Sequence, residues 1–281
     1  MKRKFTRKLE LVFISFIKRF VAVFPQRYSD KNVEEIVKSL DTKSYYLYKN
    51  FFNSDEINNI NKSLKEYQSE AISSGKSLIK DLTNKKVRTD ILKSETIDLA
   101  NYTHNKLILD VARKFHGIPC KVTKASYEIK EKGNNPENNL IHERLDDTIY
   151  YHFDRPYKVL KTYLILEDID DKDGPMYVVS GSHKLFYKSP IKKLFRYFSK
   201  IFLYDHHYLL EHKDEKFFIN DNDIISLKGN AGDLFFVNTE AWHCGRPMES
   251  DGRRAVLWNY IYGDHTTSWI KHLLSGKFLF N

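Results

Sequence analysis

His152 and Asp154 stand two residues apart, and His243 follows 91 positions later. Residues i and i+2 share a face only on an extended chain, where their Cα atoms lie roughly 7 Å apart. Residues 150–154 therefore read as the end of a strand, with His152 and Asp154 on one side and Phe153 on the other. A joint role for all three needs His243 to arrive from a second strand. That requirement restricts the chain to a strand-rich scaffold in which distant segments meet.

The residue types carry a chemistry. A non-haem iron(II) centre that activates oxygen is held on one face by two imidazoles and one carboxylate, which leaves three coordination positions open. A 2-oxo acid can fill two of them and O2 the third. A zinc hydrolase also accepts two histidines and a carboxylate. The downstream sequence separates the two readings. Residues 232–237 read as a turn into a buried strand, and His243 comes shortly after. A long turn over 244–252 leads into a further strand over 254–262. Arg254, at the start of that strand, can grip the distal carboxylate of 2-oxoglutarate through a bidentate pair. A zinc hydrolase has no use for that arginine. Arg253 remains the alternative, because both faces of the strand carry apolar residues and alternation cannot choose between them.

With these residues the chain resembles the phytanoyl-CoA dioxygenase-like group of iron(II)/2-oxoglutarate oxygenases, over roughly residues 44–262. The first matching block holds Tyr151-His152-Phe153-Asp154, the core strand around Leu164-Ile165-Leu166, Asp173-Gly174-Pro175 and Ser180-Gly181-Ser182-His183. The second runs from Gly232-Asp233 to His243, and the third is Arg254, eleven residues beyond His243. Ser180 stands where the family usually has proline, and Gly245 where some members use serine to touch the co-substrate. The resemblance implies a mainly β fold with flanking helices, a distorted double-stranded β-helix (jelly roll, cupin-like). It also implies that His152, Asp154 and His243 hold Fe(II), and that 2-oxoglutarate and O2 are co-substrates, with succinate and CO2 released. Thr162 is a candidate partner for the metal-proximal carboxylate of 2-oxoglutarate; the plainer reading is a strand threonine bonded to a neighbour. The expected outcome is hydroxylation of an unactivated C–H bond. Because the carboxylate ligand is present, halogenation is disfavoured; desaturation and ring closure can use the same ligands.

Other histidines fit less well. His183 lies in the Gly-Ser-His turn and reads as a packing residue, while His104, His142 and the adjacent His206-His207 lack a carboxylate partner in a ligand pattern. Two cysteines, Cys120 and Cys244, imply no disulfide framework, so a reducing cytoplasm is the default.

Charge is unevenly spread. Residues 1–31 hold nine Lys/Arg against Glu10 and Asp30, a net +7 out of the chain's +9. Phe5, Leu9, Val12, Phe16, Phe20 and Val23 recur at helical spacing there, and Pro25 ends the pattern. This arm suits packing on the body or on a partner subunit. The alternative is peripheral membrane contact through residues 1–24, with action on lipid or lipid-linked glycan. Its longest uncharged run, 11–17, is too short to span a bilayer. The aromatic and apolar content of the arm disfavours nucleic acid.

The remaining 32–281 reads as one oxygenase domain. A strand is expected at 45–48, a helix from a Ser54 N-cap to about 73, a helix over 97–116 and a strand over 120–131. Residues 184–216 carry Lys192, Lys193, Arg196 and Lys200 among aromatics, with a helical stripe over 191–204. They read as a lid insertion receiving an anionic or glycan-type small molecule, or equally as a solvated helix on the body. A non-catalytic binding module on the same fold is the remaining alternative, against which the intact ligand set argues.

Overall fold

The computed structural model describes residues 31–73, 78–81, 86–91, 99–117, 120–132, 150–154, 158–184, 187–188, 210 and 212–263. The expectations for the arm over 1–30, the helix over 191–204, His142 and His206-His207 lie outside those residues.

Two antiparallel sheets face each other. In chain order the strands are β1 (Tyr45–Tyr48), β2 (Leu78–Asp81), β3 (Lys86–Asp90), β4 (Cys120–Glu131), β5 (Leu160–Ile165), β6 (Met176–Val179), β7 (Ile224–Leu227), β8 (Leu234–Asn238), β9 (His243–Gly245) and β10 (Arg253–Gly263). Among the described residues the larger sheet runs β1-β8-β5-β10-β4-β3-β2 and the smaller β7-β6-β9. This is the expected jelly roll with flanking helices.

Strand alternation sorts the larger sheet into two faces. Leu160, Leu164, Leu234, Phe236 and Leu257 point outward to the helices, while Tyr163, Ile165, Phe235, Val237, Val256 and Trp258 point to the smaller sheet. Both faces are buried, so central strands such as β8 are buried at every position rather than alternating with polar residues.

The outer face is covered by α1 (Lys31–Lys43), α2 (Ser54–Ser73) and, after the short α3 (Ala100–Thr103), α4 (Lys106–His116). In α1, Val33, Ile36, Val37 and Leu40 form a stripe at i, i+3, i+4 and i+7, and each is buried. Removing side chains of this size from water contributes roughly 2 kcal/mol apiece. Helix α2 starts where expected, but its cap is Asn53 rather than Ser54. The Glu56 amide donates to Asn53 Oδ1 at 3.0 Å, and the Asn53 amide donates back to Glu56 Oε2 at 2.8 Å, a reciprocal capping box. The single helix expected over 97–116 is divided, because the Asn105 side chain accepts from the amides of Leu107 and Ile108 and starts α4 afresh. Helix α4 ends at Gly117, which takes the left-handed conformation (φ 66°) and donates its amide to Arg113 O. The remaining helix, α5 (His212–Phe218), precedes β7.

Two turns tie the sheets to the site. His183 is buried and bridges Ser44 Oγ (2.7 Å) and the Asp41 carbonyl (3.0 Å), which makes it a packing residue of the Gly-Ser-His turn. Gly174 sits at φ 61°, and a Cβ there would lie 2.6 Å from the Arg246 carbonyl. Its own carbonyl accepts a hydrogen bond from Arg254 Nη1. Gly174→Ala is therefore expected to destabilise the fold by more than about 1 kcal/mol, read as a lowered urea midpoint with an unchanged slope.

Candidate metal centre

The two histidines meet through the backbone. His152 donates its amide to the His243 carbonyl (2.9 Å) and His243 donates to that of His152 (2.8 Å), an antiparallel bridge that adds residue 152 to the edge of β9. The Asp154 amide donates to the Thr239 carbonyl at 3.0 Å, a separate anchor beyond the bridge that fixes the second ligand of this segment. Phe153, on the opposite side, packs edge-on to Trp242 at 4.8 Å between ring centroids. Trp242 is itself pinned: its amide donates to Ser182 Oγ and its carbonyl accepts from Val179. The Gly-Ser-His turn thus fixes the residue immediately before His243.

Ligand atoms of His152, Asp154 and His243 lie within 4.8 Å of one another. Asp154 Oδ1 is 3.5 Å from His243 Nε2 and 3.9 Å from His152 Nε2. Each imidazole turns its other nitrogen to a backbone carbonyl, His152 Nδ1 to Tyr150 (2.8 Å) and His243 Nδ1 to Ala241 (2.9 Å). A carbonyl only accepts, so Nδ1 carries the proton in both rings and the Nε2 lone pairs converge. His243 Nε2 is buried without a hydrogen-bond partner. An orphaned acceptor beside a carboxylate and a second imidazole suits a cation, and the outer bonds are those that orient histidine ligands.

Electrostatics prepare the donors. Desolvation, reinforced by the neighbouring His243, pushes the His152 imidazole down to about 3, so it is neutral at ordinary pH. For Asp154, burial favours the neutral acid, but Lys161 and the two imidazoles hold the carboxyl well below its usual range. Lys161 Nζ lies 3.3 Å from Asp154 Oδ2.

The cavity beside this cluster is floored by Arg254, Glu128 and Lys130 and walled by Lys161, Tyr163 and Trp258. Arg254 is buried, with Nη2 2.5 Å from Glu128 Oε1 and Nη1 on Gly174 O. Its Nε is buried and makes no hydrogen bond. Arg253 points to the other face and forks onto Glu167. Thr162 does not line the cavity. Its hydroxyl meets Tyr102 OH at 3.1 Å on the helix-facing side, while its neighbours Lys161 and Tyr163 face inward. Gly245 lines the cavity without a side chain to offer, and Cys244 beside it is a thiol pushed up to about 12 by burial. The functional neighbours that the motif reading missed are Lys161, Glu128 and Lys130. Strand parity with Arg254 and Tyr163 was the available signal for them.

The sequence matches the phytanoyl-CoA dioxygenase (PhyH) family over residues 43–256. The chain belongs to that family. It is thus an oxygenase-type enzyme. No curated protein matches it in sequence. Its fold is similar to that of EctD from S. alaskensis with 2-oxoglutarate and 5-hydroxyectoine, at 13% identity and a TM-score of 0.62, covering 86% of this chain and 80% of that one. It is also similar to HygX from Streptomyces hygroscopicus with nickel and 2-oxoglutarate bound, at 16% identity and 0.55, covering 82% and 87%. The epimerase SnoN from nogalamycin biosynthesis, with Fe3+, α-ketoglutarate and nogalamycin RO, matches at 14% identity and 0.55, covering 83% and 84%.

The Arg254–Glu128 pair sets up a stability test. Arg254→Met removes the guanidinium paired with the buried Glu128 carboxylate, at an expected cost of about 3–5 kcal/mol. The double variant Glu128→Gln/Arg254→Met should recover most of that loss in urea unfolding, and additive losses would show that the pair is not coupled.

Proposed function

We propose that this PhyH-family protein hydroxylates an unactivated C–H bond of a small molecule, consuming 2-oxoglutarate and O2 and releasing succinate and CO2. The observation that carries the reading is the convergence of His152 Nε2, His243 Nε2 and an Asp154 oxygen at one edge of a cavity. These three residues would hold Fe(II), and Arg254 would hold the distal carboxylate of 2-oxoglutarate. Iron with 2-oxoglutarate supplies the oxidising power when bound. The chain's own groups orient the parts: the carbonyls of residues 150 and 241 set the imidazole planes, and the Gly174 carbonyl and Glu128 set the guanidinium.

The substrate class follows from what remains in the cavity. Tyr163 and Trp258 offer flat apolar walls, and Lys130 and Lys161 add positive charge. An anionic or glycan-type small molecule suits that lining. The fold neighbours act in the same direction: EctD and HygX carry small molecules, 5-hydroxyectoine and hygromycin B. No helix among the described residues is long and apolar enough to cross a membrane. Peripheral membrane contact through residues 1–24 is the alternative to packing of the basic arm, and liposome co-sedimentation with and without residues 1–31 tests it.

Anaerobic titration with Fe(II) and then 2-oxoglutarate should give a visible charge-transfer band in the parent protein. The band should vanish in His152→Ala, Asp154→Ala and His243→Ala. Arg254→Met should need at least about tenfold more 2-oxoglutarate to reach it, the loss of one buried charge-assisted pair. A small-molecule panel scored by succinate release then finds the substrate, and a product heavier by one oxygen atom distinguishes hydroxylation from epimerisation or desaturation.

A further inference from the structure

The two oxygens of Asp154 have different surroundings. Oδ1 faces both imidazole Nε2 atoms, at 3.5 and 3.9 Å. Oδ2 is buried, makes no aligned hydrogen bond, and has the Lys161 ammonium at 3.3 Å. Lys161 is buried on the inward face of β5, where Tyr260 is its cross-strand neighbour. Its Nζ lies 4.4 Å from the Tyr260 ring centroid and 5.7 Å from that of Trp258. Two aromatic faces thus hold the cation beside Asp154, and both belong to the rigid strand β10.

We infer that Lys161 is a positioning residue that keeps Asp154 a one-oxygen metal ligand, an inference that rests on the metal reading above. A carboxylate free to rotate can chelate a divalent ion through both oxygens. That would consume one of the three positions that a 2-oxo acid and O2 require. An ammonium on Oδ2 opposes this in two ways. It stabilises negative charge on the oxygen that faces away from the imidazoles, and its own charge repels a cation that shifts toward that oxygen. The cost is weaker affinity for the metal in exchange for an open face.

Mn(II) is the probe, because its bound waters are counted by water-proton relaxation without turnover. In the full chain without 2-oxoglutarate, Lys161→Met should lose one exchangeable water, lowering the inner-sphere relaxivity by roughly a third. Mn(II) should bind it roughly three- to tenfold more tightly, as expected when a like charge nearby is removed. Lys161→Arg, which restores a cation, should return both readouts toward the parent. If Lys161→Met does not fold, Lys161→Gln carries the same test. Unchanged relaxivity in the neutral variant, with Mn(II) still bound, overturns the positioning role and leaves the metal reading intact. Loosened Mn(II) with unchanged water number also overturns it, since that marks a merely structural lysine. Failure of the parent to bind Mn(II) overturns both.

Discussion

Two backbone hydrogen bonds between His152 and His243 are the constraint on which the site depends. They join segments 91 positions apart at a single antiparallel bridge. Side chains directly opposite on an antiparallel pair emerge on the same face within a few ångströms, and here the imidazole centroids lie 4.4 Å apart. Asp154 follows at the next same-face position, and its own amide is bonded. Register therefore brings the two imidazoles together, and the Thr239 carbonyl fixes Asp154 beside them. A slip of one residue would turn both His152 and Asp154 away from His243 and put Phe153 in their place.

Register of this kind has to be enforced from behind. Phe153 and Trp242 occupy the opposite side of the bridge and are buried with Val179, Phe218 and Cys244. Ser182 ties the Trp242 backbone to the Gly-Ser-His turn, while Ser44 and His183 tie that turn to the end of α1. The helix layer thus acts on the cavity at one remove. It covers the outer face of the larger sheet and also anchors the turn that fixes the residue before a ligand.

The spacing of His152 and Asp154 revealed their shared face, because period-2 geometry needs no knowledge of the rest of the chain. The jelly roll was legible from the resemblance and from strands bounded by Gly-rich turns. Spacing from His243 favoured Arg254, but strand alternation could not separate it from Arg253 for a physical reason. Helices cover the outer face of β10, so Ala255 and Leu257 are as buried as Val256 and Trp258, and the polar–apolar alternation that marks an inside is erased. Thr162 takes the plainer of its two readings, a strand threonine bonded to a neighbour, because it lies one position away from the strand's inward face. Helix α1 carried a readable stripe in Val33, Ile36, Val37 and Leu40. It was overlooked because the basic segment before it dominates that end of the sequence. The cap at Asn53 was displaced by one residue, since Asn and Ser are both good caps and only the reciprocal bond to Glu56 decides.

Lys161, Glu128 and Lys130 belong to no motif, and their importance comes from three-dimensional charge balance. Around the cavity, Arg254, Lys130 and Lys161 oppose Glu128 and Asp154, which leaves one positive charge. A ferrous ion adds two and a dicarboxylic acid removes two, so the assembled site again carries one excess positive charge. Burying like charges together is costly, and this excess is made tolerable by arrangement. Arg254 is paired with Glu128, Lys161 is pressed against Asp154 and two rings, and Lys130 donates to the Arg246 carbonyl. When a metal engages Asp154, the compensation for Lys161 weakens, and an anionic group on a substrate entering beside the metal would restore it. The same lysine that limits how Asp154 binds would then favour one charge class of substrate, which links metal geometry and specificity through a single ammonium.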